Sequence, residues 1–257
     1  MEIALISAVA FITAILTFFS GFGLGTILTP VFMIYFPVDL AIALTGIVHF
    51  LNNLFKLALV GKGANKNVLI RFGIPAIIAS FAGAWILVQI TEVEPLFSYD
   101  AFGKHIQVFP AKFIVSMLLL LFALLDLFPI LSKLQFENKH MAFGGILSGF
   151  FGGLSGNQGA LRSAFLIRSG LSKESFVATT VVLSCFVDFT RLSVYASRIS
   201  LSEVSSYLTV IVCASLAAFS GAFIGNKLLK KVTIQFVQTT VAIMLILLSL
   251  ALGAGLI

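Results

Sequence analysis

The chain has 257 residues, of which 60% are hydrophobic and only 10% are charged. Water-facing globular domains are about one quarter charged, so that class is excluded. The net charge of +6 would suggest a nucleic-acid partner, but the bases lie in short stretches between apolar runs, as membrane orientation requires, and no nucleic-acid partner is expected.

In chain order, runs free of Asp, Glu, Lys and Arg cover residues 3–38, 40–55, 72–91, 113–125, 141–161, 175–187, 204–226 and 232–257. Several reach the roughly 20 apolar residues that a spanning helix needs. The two short ones continue past single charges, Asp126 and Asp188. The runs are apolar all round rather than alternating like barrel strands. They predict an all-α membrane protein, a polytopic helical bundle of about eight spanning segments within one domain over 1–257. The chain opens Met1-Glu2 without a basic stretch, so the first run is expected to be retained rather than cleaved. Cys185 and Cys213 fall inside apolar runs and read as packing thiols. No metal and no cofactor is expected, and no hydrophilic stretch is long enough for a separate soluble catalytic domain. Trp85 and Tyr99 read as interfacial aromatics.

The chain looks duplicated, with repeat one over 1–131 and repeat two over 135–257. Each half opens on a long apolar run broken by glycines: Gly21-Phe22-Gly23-Leu24-Gly25, followed by Pro30, and Gly152-Gly153-Leu154-Ser155-Gly156-Asn157-Gln158-Gly159. A shift of about 135 positions sets Thr45 on Thr180, Asn53 on Asp188 and Lys56 on Arg191. Gly-interrupted segments at matching places in two halves mark many secondary transporters.

The loop bases test the orientation. With the 61–71 loop inside and eight simple crossings, the inside holds Lys62, Lys66, Arg71, Lys133, Lys139 and Arg198. The outside holds Lys104, Lys112, Arg168, Lys173, Lys227, Lys230 and Lys231, so no bias results. If the segment 141–168 enters and returns to the same face, Arg168, Lys173, Lys227, Lys230 and Lys231 move inside and Arg198 moves outside. The positive-inside rule then holds clearly, and the two halves become inverted. That segment amounts to about 42 Å of helix, too short for two full crossings and suited to a re-entrant pair of half-helices. Backbone broken at membrane depth survives only when buried in protein or lining a cavity, so the glycines point to a central site. Close packing between helices is the alternative explanation for them.

Three bases remain inside the spans: Lys56, Arg162 and Arg191. A cation at membrane depth costs at least about 2.5 kcal/mol and needs a reason. Three converging cations, with half-helix N-termini beside them, would hold a small anion. His49, Asn52, Asn53 and Lys56 share one helix face, and Ser184, Asp188, Arg191 and Tyr195 share another. Asn53, Asn157, Gln158 and Ser184 would add hydrogen bonds, and Gly23, Gly25, Gly156 and Gly159 would let the backbone approach closely. His49 or Asp188 could carry a coupling proton. Plainer readings exist as well: Asp188 and Arg191 neutralising each other, Lys56 snorkelling toward the surface near Gly61, and His49 as a packing histidine.

The stretches GFGLGTILTPVF (21–32), TGIVHFLNNLFKLALVG (45–61), GGLSGNQGALRSAFLIRSGLSKESF (152–176) and TTVVLSCFVDFTRLSVY (179–195) resemble the sulfite exporter TauE/SafE family, also called the four-plus-four toluenesulfonate uptake family. The resemblance covers nearly the whole chain. It implies a permease of the bacterial inner membrane for small, often sulfur-containing anions such as sulfite and sulfonates. The family's more usual second-half motif is a richer glycine run ending in proline; here Asn157-Gln158-Gly159-Ala160-Leu161-Arg162 stands instead. An anion channel or uniporter is the nearest alternative. A membrane enzyme using His49 and Asp188 as acid and base is a more distant one.

Overall fold

The computed structural model describes residues 2–20, 23–91, 93–101, 103–128, 138–166, 169–228 and 234–256. Gly21, Phe22, Lys133, Arg168, Lys230 and Lys231 lie outside the described residues, as does the side chain of Asp126. Among the described residues, ten helices of eight or more residues carry the fold: α1 (Glu2–Ser20), α2 (Gly25–Met33), α3 (Val38–Val60), α4 (Ile74–Ile90), α5 (Pro110–Leu127), α6 (Met141–Ser155), α7 (Gly159–Leu166), α8 (Lys173–Tyr195), α9 (Leu208–Leu228) and α10 (Ile234–Gly253). Among the described residues, the segments Val38–Gly63, Lys66–Ile90, Lys173–Tyr195 and Leu208–Lys227 are long and apolar enough to cross a membrane, and four shorter apolar helices accompany them. Large apolar side chains face outward along these helices, Ile78, Phe81 and Trp85 on α4 and Phe186 and Phe189 on α8 among them. The chain is an all-α polytopic membrane protein.

Contacts fix the relative directions of the helices. α3 and α8 run antiparallel: Gly46 lies against Leu192 and Arg191, His49 bonds Asp188, and Gly63 lies beside Ala178. The Gly61 end of α3 and the Lys173 end of α8 therefore share one face, termed the near face. The Val38 and Tyr195 ends share the far face. α6 runs parallel to α4, with Gly145, Gly149 and Gly153 set on the carbonyls of Phe72, Ala76 and Ser80. Glycines spaced by four residues allow this backbone-to-backbone approach, which in lipid supplies the packing that a hydrophobic driving force cannot. On the other flank α1 runs parallel to α9, with Gly221 on Phe11 and Gly225 on Ile15 and Phe18. α5 and α10 pair antiparallel, with Ser116 against Gly253.

α7 doubles back along α6: Phe165 fills the space left by Gly144, and the Ser148 hydroxyl donates to the Gln158 carbonyl at 3.1 Å. Both ends of the 141–166 stretch therefore open on the near face. After its break, α2 takes the chain to the far face, where Phe36 packs edge-on against Tyr207 at 5.1 Å. The near face thus carries Lys62, Lys66, Arg71, Lys139, Lys173 and Lys227, and the far face carries Lys104, Lys112 and Arg198. Exchanging α1–α5 for α6–α10 turns the α4–α6 pair into α9–α1 and the α4–α8 pair into α9–α3, while α3–α8 and α5–α10 map onto themselves.

Two local features have no counterpart in the apolar pattern of the sequence. The turn after α3 ends in a π-helical stretch, Leu69–Gly73, ahead of α4. Asn65 caps the short helical turn before it by accepting from the Val68 N–H at 3.1 Å, and its own N–H donates to Thr179 on α8 at 2.8 Å. On the far face, β1 (Phe97–Ala101) and β2 (Lys104–Val108) form an antiparallel hairpin, in register from Phe97 opposite Val108 to Ala101 opposite Lys104. The Tyr99 hydroxyl donates to the Ala254 carbonyl at 2.5 Å, tying the hairpin to the end of α10.

Candidate functional site

The two helix breaks meet inside the bundle. α6 stops because Gly156 takes φ +74°, a left-handed conformation that favours glycine. α7 starts at Gly159, and α2 starts at Gly25 after the other break. Gly25 faces the Gly156 carbonyl, and the Thr26 hydroxyl donates to Asn157 Oδ1 at 3.2 Å. Both half-helices thus begin in the interior, beside the facing polar stripes of α3 and α8.

On the near-face side of this crossing is a cavity of about 20 Å³. Its walls are Thr17 and Phe18 of α1, Gly23, His49, Asn53 and Lys56 of α3, Arg162 of α7, and Thr180, Val181 and Ser184 of α8. Arg162 Nη1 donates to the Ser184 hydroxyl at 2.7 Å. Lys56 Nζ stands 5.2 Å from the centre of the Phe18 ring, a cation–π arrangement. The His49 imidazole edge lies on Gly23, where any Cβ would fall 2.6 Å from Nε2, so this position admits only glycine without displacement.

Toward the far face, Asp188 joins the two stripes. Its Oδ2 accepts from His49 Nδ1 at 2.6 Å and from Asn53 Nδ2 at 3.0 Å. Its Oδ1 accepts from Arg191 Nε at 3.0 Å and lies 2.8 Å from Arg191 Nη2. The Arg191 guanidinium rests on Gly156, where an added Cβ would come within 2.7 Å of Nη1, and it also borders Gly46. Beyond it the Tyr195 hydroxyl donates to the Gly153 carbonyl. Around this crossing the hydroxyls of Thr29 and Thr45 and the amide nitrogen of Asn157 are buried and have no hydrogen-bond partner among the described residues.

The predicted site residues therefore divide into two groups. Lys56, Arg162, Asn53, Ser184, His49 and Gly23 share the cavity. Arg191, Asn157, Gly25 and Gly156 gather on the other side of Asp188. Gln158 packs against Gly152, and Gly159 begins α7, so both belong to the α6–α7 turn. Gly153, from the same glycine cluster, packs helix on helix. Thr17, Phe18 and Val181 also line the cavity. Of the lining residues outside the predicted set, only Thr180, one turn before Ser184 and matched to Thr45 in the duplication, had a sequence signal.

Lys56 is 4% exposed, Arg162 2%, Arg191 0% and Asp188 0%. Among the described residues these are the buried side chains of fixed charge, three cations against one carboxylate. Burying charge is tolerated when it is paired or when it serves a ligand, and here positive charge is in excess. The model of one family, sulfite exporter TauE/SafE, matches residues 6–252.

This chain belongs to the sulfite exporter TauE/SafE family.

Membership makes the polytopic bundle a membrane transporter of the class that moves sulfite-type anions, and the charge excess has the sign such cargo needs. No curated protein and no solved structure matches the chain.

Proposed function

We propose that this TauE/SafE protein is a secondary transporter that holds a small oxyanion, sulfite or a related sulfonate, between Lys56 and Arg162, and that it moves the anion by alternating access of two inverted repeats. The buried excess of positive charge carries this reading. Lys56 and Arg162 come from different halves of the chain and face one cavity, where Ser184 and Asn53 add hydrogen-bond donors. An arginine offers a planar fork and a lysine a point charge, which together suit the oxygens of a small anion. The crossing half-helix starts at Gly25 and Gly159 add their positive dipole ends to the same region.

The size of the cavity supports a gated cycle over a standing pore. About 20 Å³ is close to the roughly 10–15 Å³ that one water needs, and a sulfite with four heavy atoms needs several times more. The helices must part before an anion enters. The exchange symmetry of the helix pairs supports repeats 1–131 and 135–257 as the bodies that rock against each other. With the near-face bases turned to the cytoplasm, as the positive-inside rule prefers, Lys56 and Arg162 lie toward the cytoplasmic side. His49, hydrogen-bonded to Asp188 and facing Gly23, is the candidate for a coupling proton.

Uptake of labelled sulfite into proteoliposomes tests the reading. Arg162→Ala is expected to lower transport at least about tenfold, the loss of one charge-assisted hydrogen-bonding group. Parent-like transport of sulfite and of sulfonates by Arg162→Ala would show that the anion binds elsewhere.

A further inference from the structure

A second hollow, separate from the cation cavity, opens on the far face. It measures about 190 Å³, and Asp39, Val88, Thr91, Tyr195, Arg198 and Ile199 are among its walls. It lies where α3 begins and where α4 and α8 end. The cation cavity lies toward the opposite end of the same α3–α8 pair, since Lys56 is close to Gly61 and Arg162 sits on the helix that returns to the near face. The two hollows therefore approach each other from opposite faces along one helix interface.

Tyr195, Arg191 and Asp188 stand between them along α8. Tyr195 is one wall of the far-face hollow, and its hydroxyl donates to the Gly153 carbonyl of α6. One helical turn earlier stands Arg191, bound to Asp188, which in turn holds His49 and Asn53 at the edge of the cation cavity. Behind Tyr195, around Gly156, are the Thr29 and Thr45 hydroxyls and the Asn157 amide nitrogen. These buried polar groups are without partners among the described residues.

We propose that the far-face hollow is the vestibule through which the same small oxyanion enters or leaves, and that Tyr195 is the gate between this vestibule and Arg191. The proposal rests on the oxyanion site at Lys56 and Arg162. The vestibule has room for a partly hydrated oxyanion, whereas the inner cavity does not. Arg198 and Asp39 both stand at its rim. The latch is the Tyr195 hydroxyl, which donates to the Gly153 carbonyl and meets the Arg191 side chain, and a local turn of the tyrosine can break and remake these contacts. Once Tyr195 swings away, Thr29, Thr45 and Asn157 can offer hydrogen bonds to the passing oxygens, and Arg191 can exchange Asp188 for the anion.

Reporter cysteines in a Cys185→Ala, Cys213→Ala background test the gate. Ile199→Cys stands in the vestibule and Thr29→Cys stands behind Tyr195, with Thr45→Cys as a second reporter should the first not fold. A membrane-impermeant anionic methanethiosulfonate is added from the far face of oriented proteoliposomes. Ile199→Cys is expected to react quickly, whether residue 195 is Tyr or Phe. Thr29→Cys is expected to react slowly with Tyr195 present and at least fivefold faster with Tyr195→Phe, which keeps the ring but lacks the latch. A small sulfonate, which does not consume the reagent, is expected to slow the faster reaction. Equal rates for Thr29→Cys with Tyr and Phe, or an inert Ile199→Cys, would overturn the gate. Acceleration by Tyr195→Phe together with sulfite transport indifferent to Arg162→Ala would keep the gate and reject the inner site, so the two failures are distinguishable.

Discussion

Asp188 accepts hydrogen bonds from His49 and Asn53 on α3 and from Arg191 on its own helix, so one carboxylate both neutralises a buried guanidinium and ties α3 to α8. Removing one partner of a buried ion pair leaves the other charge stranded, at a cost of about 3–5 kcal/mol. Asp188→Ala is therefore expected to lower the thermal midpoint in detergent sharply. Asp188→Asn, which can still hydrogen-bond, should lower it less, and sulfite should raise the midpoint of Asp188→Asn more than that of the parent because an anion can stand in for the missing charge. A midpoint unchanged in both variants would show that the carboxylate does not hold the helices. His49 belongs to the same group. If it carries the coupling proton, His49→Gln should flatten the dependence of uptake on pH. An unaltered pH profile would remove it from that role. At this scale the sequence exposed the two polar stripes, because Asn, His, Asp, Lys and Arg stand out at helical spacing against apolar neighbours. It did not tell which residues of one stripe touch the other. The antiparallel crossing sets His49 and Asn53 against Asp188 and leaves Lys56 to the cavity, and that register depends on tertiary packing.

At the level of the helices, glycine has two separate uses. Gly145, Gly149 and Gly153 bring α6 onto the backbone of α4, while Gly156 ends α6 at the central crossing. A Cβ at residue 149 would come within 2.0 Å of the Ala76 carbonyl oxygen, so α4 and α6 would have to separate. Gly149→Ala is expected to destabilise by about 1–3 kcal/mol, the usual cost of overpacking, read as a lower thermal midpoint. Gly103, which has φ +71° and open space around it, would show no such clash, so a Gly103→Asn variant serves as the comparison. Close packing and a central crossing are thus both present in the glycine cluster, divided residue by residue. The fold-back at 156–158 was legible from charge counting and length. The hairpin at 97–108 was not, because its strands are only five residues each and lie between two strongly apolar runs. The π-helical stretch at 69–73 also left no signature in the apolar pattern.

For the whole molecule, the distribution of bases and the pairing of helices agree. The face with Lys62, Lys66, Arg71, Lys139, Lys173 and Lys227 opposes the face with Lys104, Lys112 and Arg198. Exchange of the two sets of five helices maps the α4–α6, α4–α8, α3–α8 and α5–α10 pairs onto packed pairs, while α2–α3 has no comparable α7–α8 contact. In the proposed duplication the matched positions differ in charge: where the first half has Asn53 and Lys56, the second has Asp188 and Arg191. In the proposed cycle the first cation stays available to cargo while the second is held by a carboxylate. Both neighbour the crossing of the breaks, and rocking of the halves would pass the anion from one to the other. The most direct test is sulfite binding to the purified protein by equilibrium dialysis, comparing the parent with Lys56→Gln/Arg162→Gln after both are shown to be monodisperse. Saturable binding by the parent is expected, with at least about tenfold weaker binding by the double variant. Equal sulfite binding by the two proteins would contradict an anion site between Lys56 and Arg162.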